Sequence, residues 1–232
     1  MKLFAALILA VLFFAGISSC KKGYDETADL NTNAILNVVN ATGDTLNFYL
    51  NGTRQNISSS IYPTGNTGYL SNFIVGAQNY QFKKAGHAEV LFSQTITLKD
   101  SIAASAKQNV GVYNTLFLTG ESADKSLLLE DTTTITSADS ALVRFVHTAD
   151  GAGNLSLAFG TVTGFANQTY KSVSNYKKFP FGLTTVTVLQ NGQQITGASV
   201  ILTLATSKYT FFVKGLPNGT GKNKFQLGYF TR

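Results

Sequence analysis

From Leu3 to Gly16 the chain carries almost no polar side chain, and Met1 and the basic Lys2 precede this run. About a dozen apolar residues is the length of a signal-peptide core and is short of the ~20 that cross a bilayer. Beyond residue 33 the pattern changes to short runs of β-branched and aromatic residues, bounded by Gly, Asn, Asp or Pro. A period of two is clear in Thr185-Val186-Thr187-Val188-Leu189 and in Gln94-Thr95-Ile96-Thr97-Leu98, which predicts strands with one buried face. Asn191-Gly192 lies between two such runs and predicts a tight hairpin turn, as does Asn51-Gly52. After the leading segment no stretch reads as an amphipathic helix, and Ser101 to Lys107 has room for one turn at most.

The runs repeat. Ala34-Ile35-Leu36-Asn37-Val38-Val39-Asn40-Ala41 matches Ala141-Leu142-Val143-Arg144-Phe145-Val146-His147-Thr148 in its apolar positions, 107 residues on. Phe73-Ile74-Val75-Gly76 aligns with Phe179-Pro180-Phe181-Gly182 at an offset of 106. Asn109 to Tyr113 is expected to answer Lys208 to Phe212. The polar Thr/Ser-rich stretch 131–140 falls between the halves and is the expected linker. About seven short strands per half predict an all-β chain of two tandem Ig-like antiparallel β-sandwich domains, 34–130 and 141–232.

Composition narrows the class. Charged residues make up 13% of the chain, about half the usual quarter. Tyr (10) and Phe (17) are plentiful, Pro is scarce (3) and Trp is absent, as in exported β-rich proteins. The net charge of +6 is dispersed in pairs such as Lys83-Lys84 and Lys177-Lys178. Without a basic stripe or a recognisable module, a nucleic-acid partner is not expected.

The single cysteine decides the expected address. Ile17-Ser18-Ser19-Cys20 follows the apolar run and resembles a lipobox: an aliphatic residue, two small residues, then cysteine. Cleavage before Cys20 and acylation of its thiol would anchor the mature chain, since each buried CH₂ of lipid contributes ~0.8 kcal/mol. Residues 1–19 are then the signal peptide and 20–33 a lipidated polar tether. Asp25-Glu26 loosely resembles the acidic stretch that directs some lipoproteins outward. The expected location is the outer membrane, on either face.

Leu142-Val143-Arg144-Phe145-Val146-His147-Thr148-Ala149-Asp150 resembles the opening of a bacterial family known as domain of unknown function 4397, whose members begin V-R-F-V-H. That family continues with Ser-Pro-Asp and a strand ending like V-x-V-N-G; Asn47 to Gly52 and Leu155 to Gly160 are similar to that strand. The proline is missing here, and Asn37 and Asn40 stand where Arg144 and His147 stand in the second half. The resemblance implies an extracytoplasmic β-sandwich, often in lipoproteins, and brings no catalytic residues.

Candidate chemistry is sparse. Two histidines in different halves, 12 carboxylates and no second cysteine give no metal-ligand or nucleophile pattern, so neither catalytic residues nor a cofactor are expected. His147 is expected to cap its strand by bonding a turn carbonyl, and Arg144 to be a packing or surface residue. Tyr62, Tyr69, Tyr170 and Tyr176, with Tyr80 beside them, lie in or near loop-like stretches and are the candidate ligand contacts, since tyrosine stacks on sugars and anchors protein partners. Asp followed by Ser/Thr and a methyl-bearing residue recurs and resembles an O-glycosylation signal at Thr45, Ser101, Thr132 and Ser140. These features point to a non-enzymatic envelope lipoprotein binding a glycan or an envelope protein. A structural or fimbrial-type subunit is the alternative, and an envelope-polymer hydrolase ranks below both.

Overall fold

The computed structural model describes residues 31–101, 111–132 and 137–232. The expected signal peptide, lipobox and tether up to residue 30 lie outside the described residues. From Asn31 the chain is already pinned: its carbonyl accepts from the Val75 amide at 2.7 Å, and its side chain donates to Asp100 at 3.0 Å.

Sixteen strands are described, eight in each half. In the first half β1 (Ala34–Asn40), β4 (Leu70–Phe73), β7 (Tyr113–Leu118) and β8 (Ser126–Asp131) form one sheet, in the order β4-β1-β7-β8. The facing sheet is β3-β2-β5-β6, from β2 (Leu46–Leu50), β3 (Thr53–Arg54), β5 (Gly76–Lys84) and β6 (Phe92–Leu98). The second half repeats this as β12-β9-β15-β16 and β11-β10-β13-β14. Its strands are β9 (Ser140–Val146), β10 (Leu155–Phe159), β11 (Val162–Gln168), β12 (Lys177–Pro180), β13 (Gly182–Gln190), β14 (Gln193–Leu204), β15 (Lys208–Lys214) and β16 (Gln226–Thr231).

The architecture is thus two β-sandwiches, with one departure from a purely antiparallel expectation: β1 pairs parallel with β7, and β9 with β15. These registers also correct the repeat near its end. Ile35 faces Tyr113 and Leu142 faces Lys208, so Tyr113 answers Lys208 and the local offset is 95. The linker is shorter than its polarity suggested, because Asp131 closes β8 and Ser140 opens β9, both buried.

Local chemistry explains the repeat. Asn51-Gly52 and Asn191-Gly192 all have positive φ (50°, 77°, 51° and 79°), the type I′ geometry that Asn-Gly adopts most readily. β5 and β13 both open on a glycine of positive φ, Gly76 at 98° and Gly182 at 126°, and share one alternation of buried and exposed residues. Each sandwich has its own core. Leu36, Val38, Phe48, Phe82 and Leu116 fill the first, and Val143, Phe145, Leu157, Val188 and Phe211 the second.

A third cluster joins the halves: Val39, Ala41 and Phe117 from the first and Val146, Phe212 and Phe230 from the second, flanked by Tyr69, Leu127 and Leu129. The sheets containing β1 and β9 are therefore covered on both faces, and the layers run outer sheet, inner sheet, inner sheet, outer sheet. Strands buried on both sides are apolar at both parities, which accounts for the uninterrupted run Ala141-Leu142-Val143. β1 and β9 run in the same direction, since the turns that follow them meet in one groove. The molecule has an entry end, where β1 and β9 begin, and a far end, where they finish.

Candidate functional site

At the far end the turns after β1, β7, β9 and β15 enclose a groove of about 190 Å³. Its charges are matched. Lys84 Nζ lies 2.9 Å from Asp44 and 3.0 Å from Glu121, with Lys222 at 3.6 and 3.8 Å from the same two carboxylates. Across the groove Lys125 meets Asp150 at 3.0 Å. The hydrogen bond from Lys84 holds the Asp44 carboxyl below its ordinary value and raises the Lys84 ammonium in return. Asp44, so held, is a poor general acid, and the groove offers a polar ligand both carboxylate oxygens and ammonium groups. Among the described residues no group of three or more His, Cys, Asp or Glu is placed to share a metal ion.

Tyr62 sits near the same end, on the long connection from β3 to β4. The chain there is held by Asn40, whose Nδ2 donates to Ile61 O at 2.8 Å and to Asp44 O at 2.7 Å. Tyr62 is 65% exposed and Ile57, earlier in the loop, 80%. Polar Gln55, Asn56, Ser58 and Ser59 line the small cavity next to Ile57.

The other candidate tyrosines hold the molecule together. Tyr69 hydrogen-bonds Thr115 at 3.0 Å, and its ring meets Phe230 of the second half edge-on. Tyr170 bonds Thr119 across the halves at 2.6 Å. Tyr176 donates to Asp131 at 3.1 Å, and burial pushes its phenol up to about 12. Tyr80 is fully buried in the first core, with the same consequence for its pKa. Only Tyr62 of the five is mainly exposed.

Arg144 has no role on the surface. It is 5% exposed, with Nη1 3.0 Å from Asp131, Nε donating to Thr210 at 2.9 Å and the guanidinium 4.8 Å from the Tyr176 ring centre. Arg232 approaches the same Asp131 at 3.8 Å and lies over Tyr113. His147 is fully buried, and its Nε2 donates to Gly153 O at 2.7 Å. Burial lowers its pKa, so it is held neutral. That is the turn-capping part Asn40 plays in the first half.

The candidate glycosylation residues differ in accessibility. Cys20 and the expected lipobox lie outside the described residues. Thr132 is exposed and Thr45 half-buried. Ser101 accepts from the Ile35 amide at 2.8 Å and donates to Val112 O, while Ser140 is buried and bonded to Asp139 and Ser137. A glycan on either serine would first have to break those bonds.

Residues 34–158, just over half of the 232, match the family described as a domain of unknown function, DUF4397. The chain belongs to the DUF4397 family. The match covers the whole first sandwich and runs through β9 into β10 of the second, so both openings paired by the sequence repeat fall inside it. No curated protein matches the chain. Among solved structures it is similar to one titled as alpha-glucan recognition by family 41 carbohydrate-binding modules from streptococcal virulence factors. Identity is 10% and the TM-score 0.27, over 84% of this chain and 96% of that one. A second is a product complex of a multi-modular glycogen-degrading pneumococcal virulence factor, at 10% identity and TM-score 0.25, over 85% of this chain and 22% of that one.

Proposed function

We propose that this DUF4397 protein is a non-enzymatic binding module of the cell envelope, lipid-anchored through Cys20 and presenting its far end to a glycan or protein ligand. The observation that carries this reading is the polarity of the molecule. The chain enters at one end, at Asn31, while the exposed Tyr62 loop and the charged groove lie near the other. A tether at the entry end leaves the far end unobstructed. Tyr62, with neighbouring amides and hydroxyls, has the amphipathic character that serves sugar stacking or a protein contact.

Against the alternative of a subunit that polymerises by exchanging a strand, β1 stands between β4 and β7 and is hydrogen-bonded on both sides. A donated strand would have to leave the centre of a sheet. Against catalysis, the carboxylates of the groove are each tied to a lysine.

The test is a glycan array and an envelope pull-down with the mature protein, repeated with Tyr62→Ala. A ligand lost with that substitution supports the reading. A ligand retained by it moves the site elsewhere, and turnover of an envelope polymer by the purified protein would overturn the non-enzymatic part. Intact mass from the native host tests the anchor, and a mature mass without lipid removes it.

A further inference from the structure

The two halves share one register, so each exposed position in the second has a counterpart in the first. At one corner the counterparts differ in kind. Val162, Phe181, Leu183 and Ile201 are exposed by 63%, 43%, 76% and 68%. The strand pairings place Thr53, Val75, Ala77 and Thr95 at the equivalent points of the first half. The fold therefore does not require large apolar side chains there. Phe181, Leu183 and Val162 rim a groove of about 400 Å³ floored by Phe159, Phe179 and Leu204, and Lys178 stands beside it, its side chain 63% exposed and its Nζ 3.7 Å from Asp139.

Position in the fold selects the occupant. Pro180 pairs with Ser140, the first residue of β9, so this corner belongs to the entry end. The chain enters the fold at that end too, because Asn31 bonds to Val75, the counterpart of Phe181. Ten residues separate Cys20 from Asn31, a span of at most about 40 Å when fully extended. An acylated Cys20 would hold the entry end within that distance of the lipid surface.

We propose that this apolar corner docks onto the membrane, with Phe181, Leu183 and Val162 entering the interfacial layer and Lys178 exchanging its exposed partner Asp139 for the lipid phosphates. The inference rests on the anchored reading above. Exposed aromatic and aliphatic side chains with a neighbouring lysine are what that layer accepts. Docking would supply a second membrane contact beside the lipid and fix which way the far end points.

The chain has no tryptophan, so a single indole reports alone. Phe181→Trp is introduced into the lipidated full chain, reconstituted in vesicles of phosphatidylethanolamine and phosphatidylglycerol with brominated acyl chains. Tyr62→Trp is the control near the opposite end. Quenching and a blue shift at position 181 but not at 62 are expected. Leu183→Asp, made in the unlipidated Cys20→Ser chain, should lower its partition into the same vesicles about tenfold. Equal, weak quenching at both positions in vesicle-bound protein overturns the docking while leaving the anchor intact. An indole at 181 shielded in cells but unquenched by brominated lipid assigns the corner to a protein partner and overturns it as well. If the lipidated preparation fails to float with vesicles, the anchor reading fails, and the Cys20→Ser chain carrying Phe181→Trp decides the docking, with no blue shift on added vesicles overturning it.

Discussion

The two sandwiches of this chain have one topology and two chemistries. At the shared interface Val39 is matched by Val146, Phe117 by Phe212 and Thr115 by Thr210. The pattern breaks where Asn37 is matched by Arg144 and Asp131 by Arg232. Equivalent residues of a repeated fold meet each other across the interface, so two copies of one charge would face one another there. Placing the acid in one half and the arginines in the other converts that repulsion into a buried pair and gives the halves a unique register. A difference between repeats is thus informative where a shared residue is not.

That comparison can be broken most forcefully at the interface. Removing one partner of the buried pair, in Asp131→Ala or Arg144→Met, should cost about 3–5 kcal/mol in urea unfolding. The double replacement Asp131→Leu with Arg144→Leu should recover only part of it, because Arg232 still loses its contact with Asp131; adding Arg232→Leu should recover more. Phe117→Ala should cost a similar ~3–5 kcal/mol, and it should lower the stability of both halves together. Calorimetry of the unsubstituted protein should show a single transition. Two separate transitions would mean that the third core does not couple the sandwiches.

A smaller effect is expected at the caps. His147 closes the longer turn of 147–154 where Asn40 closes the shorter 41–45, and the ring reaches farther than an amide on one methylene. His147→Ala should cost about 1–3 kcal/mol by stranding the Gly153 carbonyl, and His147→Gln less. Because the folded pKa of His147 lies below its unfolded value of 6.5, the unfolded chain binds the proton first. Stability should therefore fall as pH drops below about 6.5 towards the folded pKa, and stay level above it. The same titration on His147→Gln should lose that component. Smallest of all, Tyr62→Ala should change stability by no more than about 0.5 kcal/mol while removing ligand binding, the separation expected of a residue that contacts a ligand and supports nothing else.

Much of the fold was legible because its signals are local. Asn51-Gly52 and Asn191-Gly192 announce their turns, and Thr185 to Leu189 alternates as a one-faced strand must. The Val143–His147 opening and its echo at Leu36–Asn40 locate the repeat. The end of the repeat was misaligned because β7 and β15 differ in what precedes them, and only pairing to the parallel neighbour fixes which residues correspond. Three of the four candidate ligand tyrosines, Tyr69, Tyr170 and Tyr176, stand in loops with polar neighbours and read as exposed. Their partners, Phe230, Thr119 and Asp131, lie in the opposite half, too distant in sequence for any local pattern to reveal. One signal was present: Leu142, Val143, Phe145 and Val146 are apolar at both parities, as a strand covered on both faces has to be.

By itself, then, the sequence determined the elements and their repetition, since turn chemistry and alternation act within a few residues of one another. Only the tertiary structure decided which faces are covered. It buried Arg144 against Asp131, turned three tyrosines inward and left Tyr62 and Phe181 exposed near opposite ends. Burial is set by contacts between residues far apart in sequence, as between Tyr69 and Phe230, and the free energy of a charge or a ring depends on what surrounds it rather than on its neighbours along the chain.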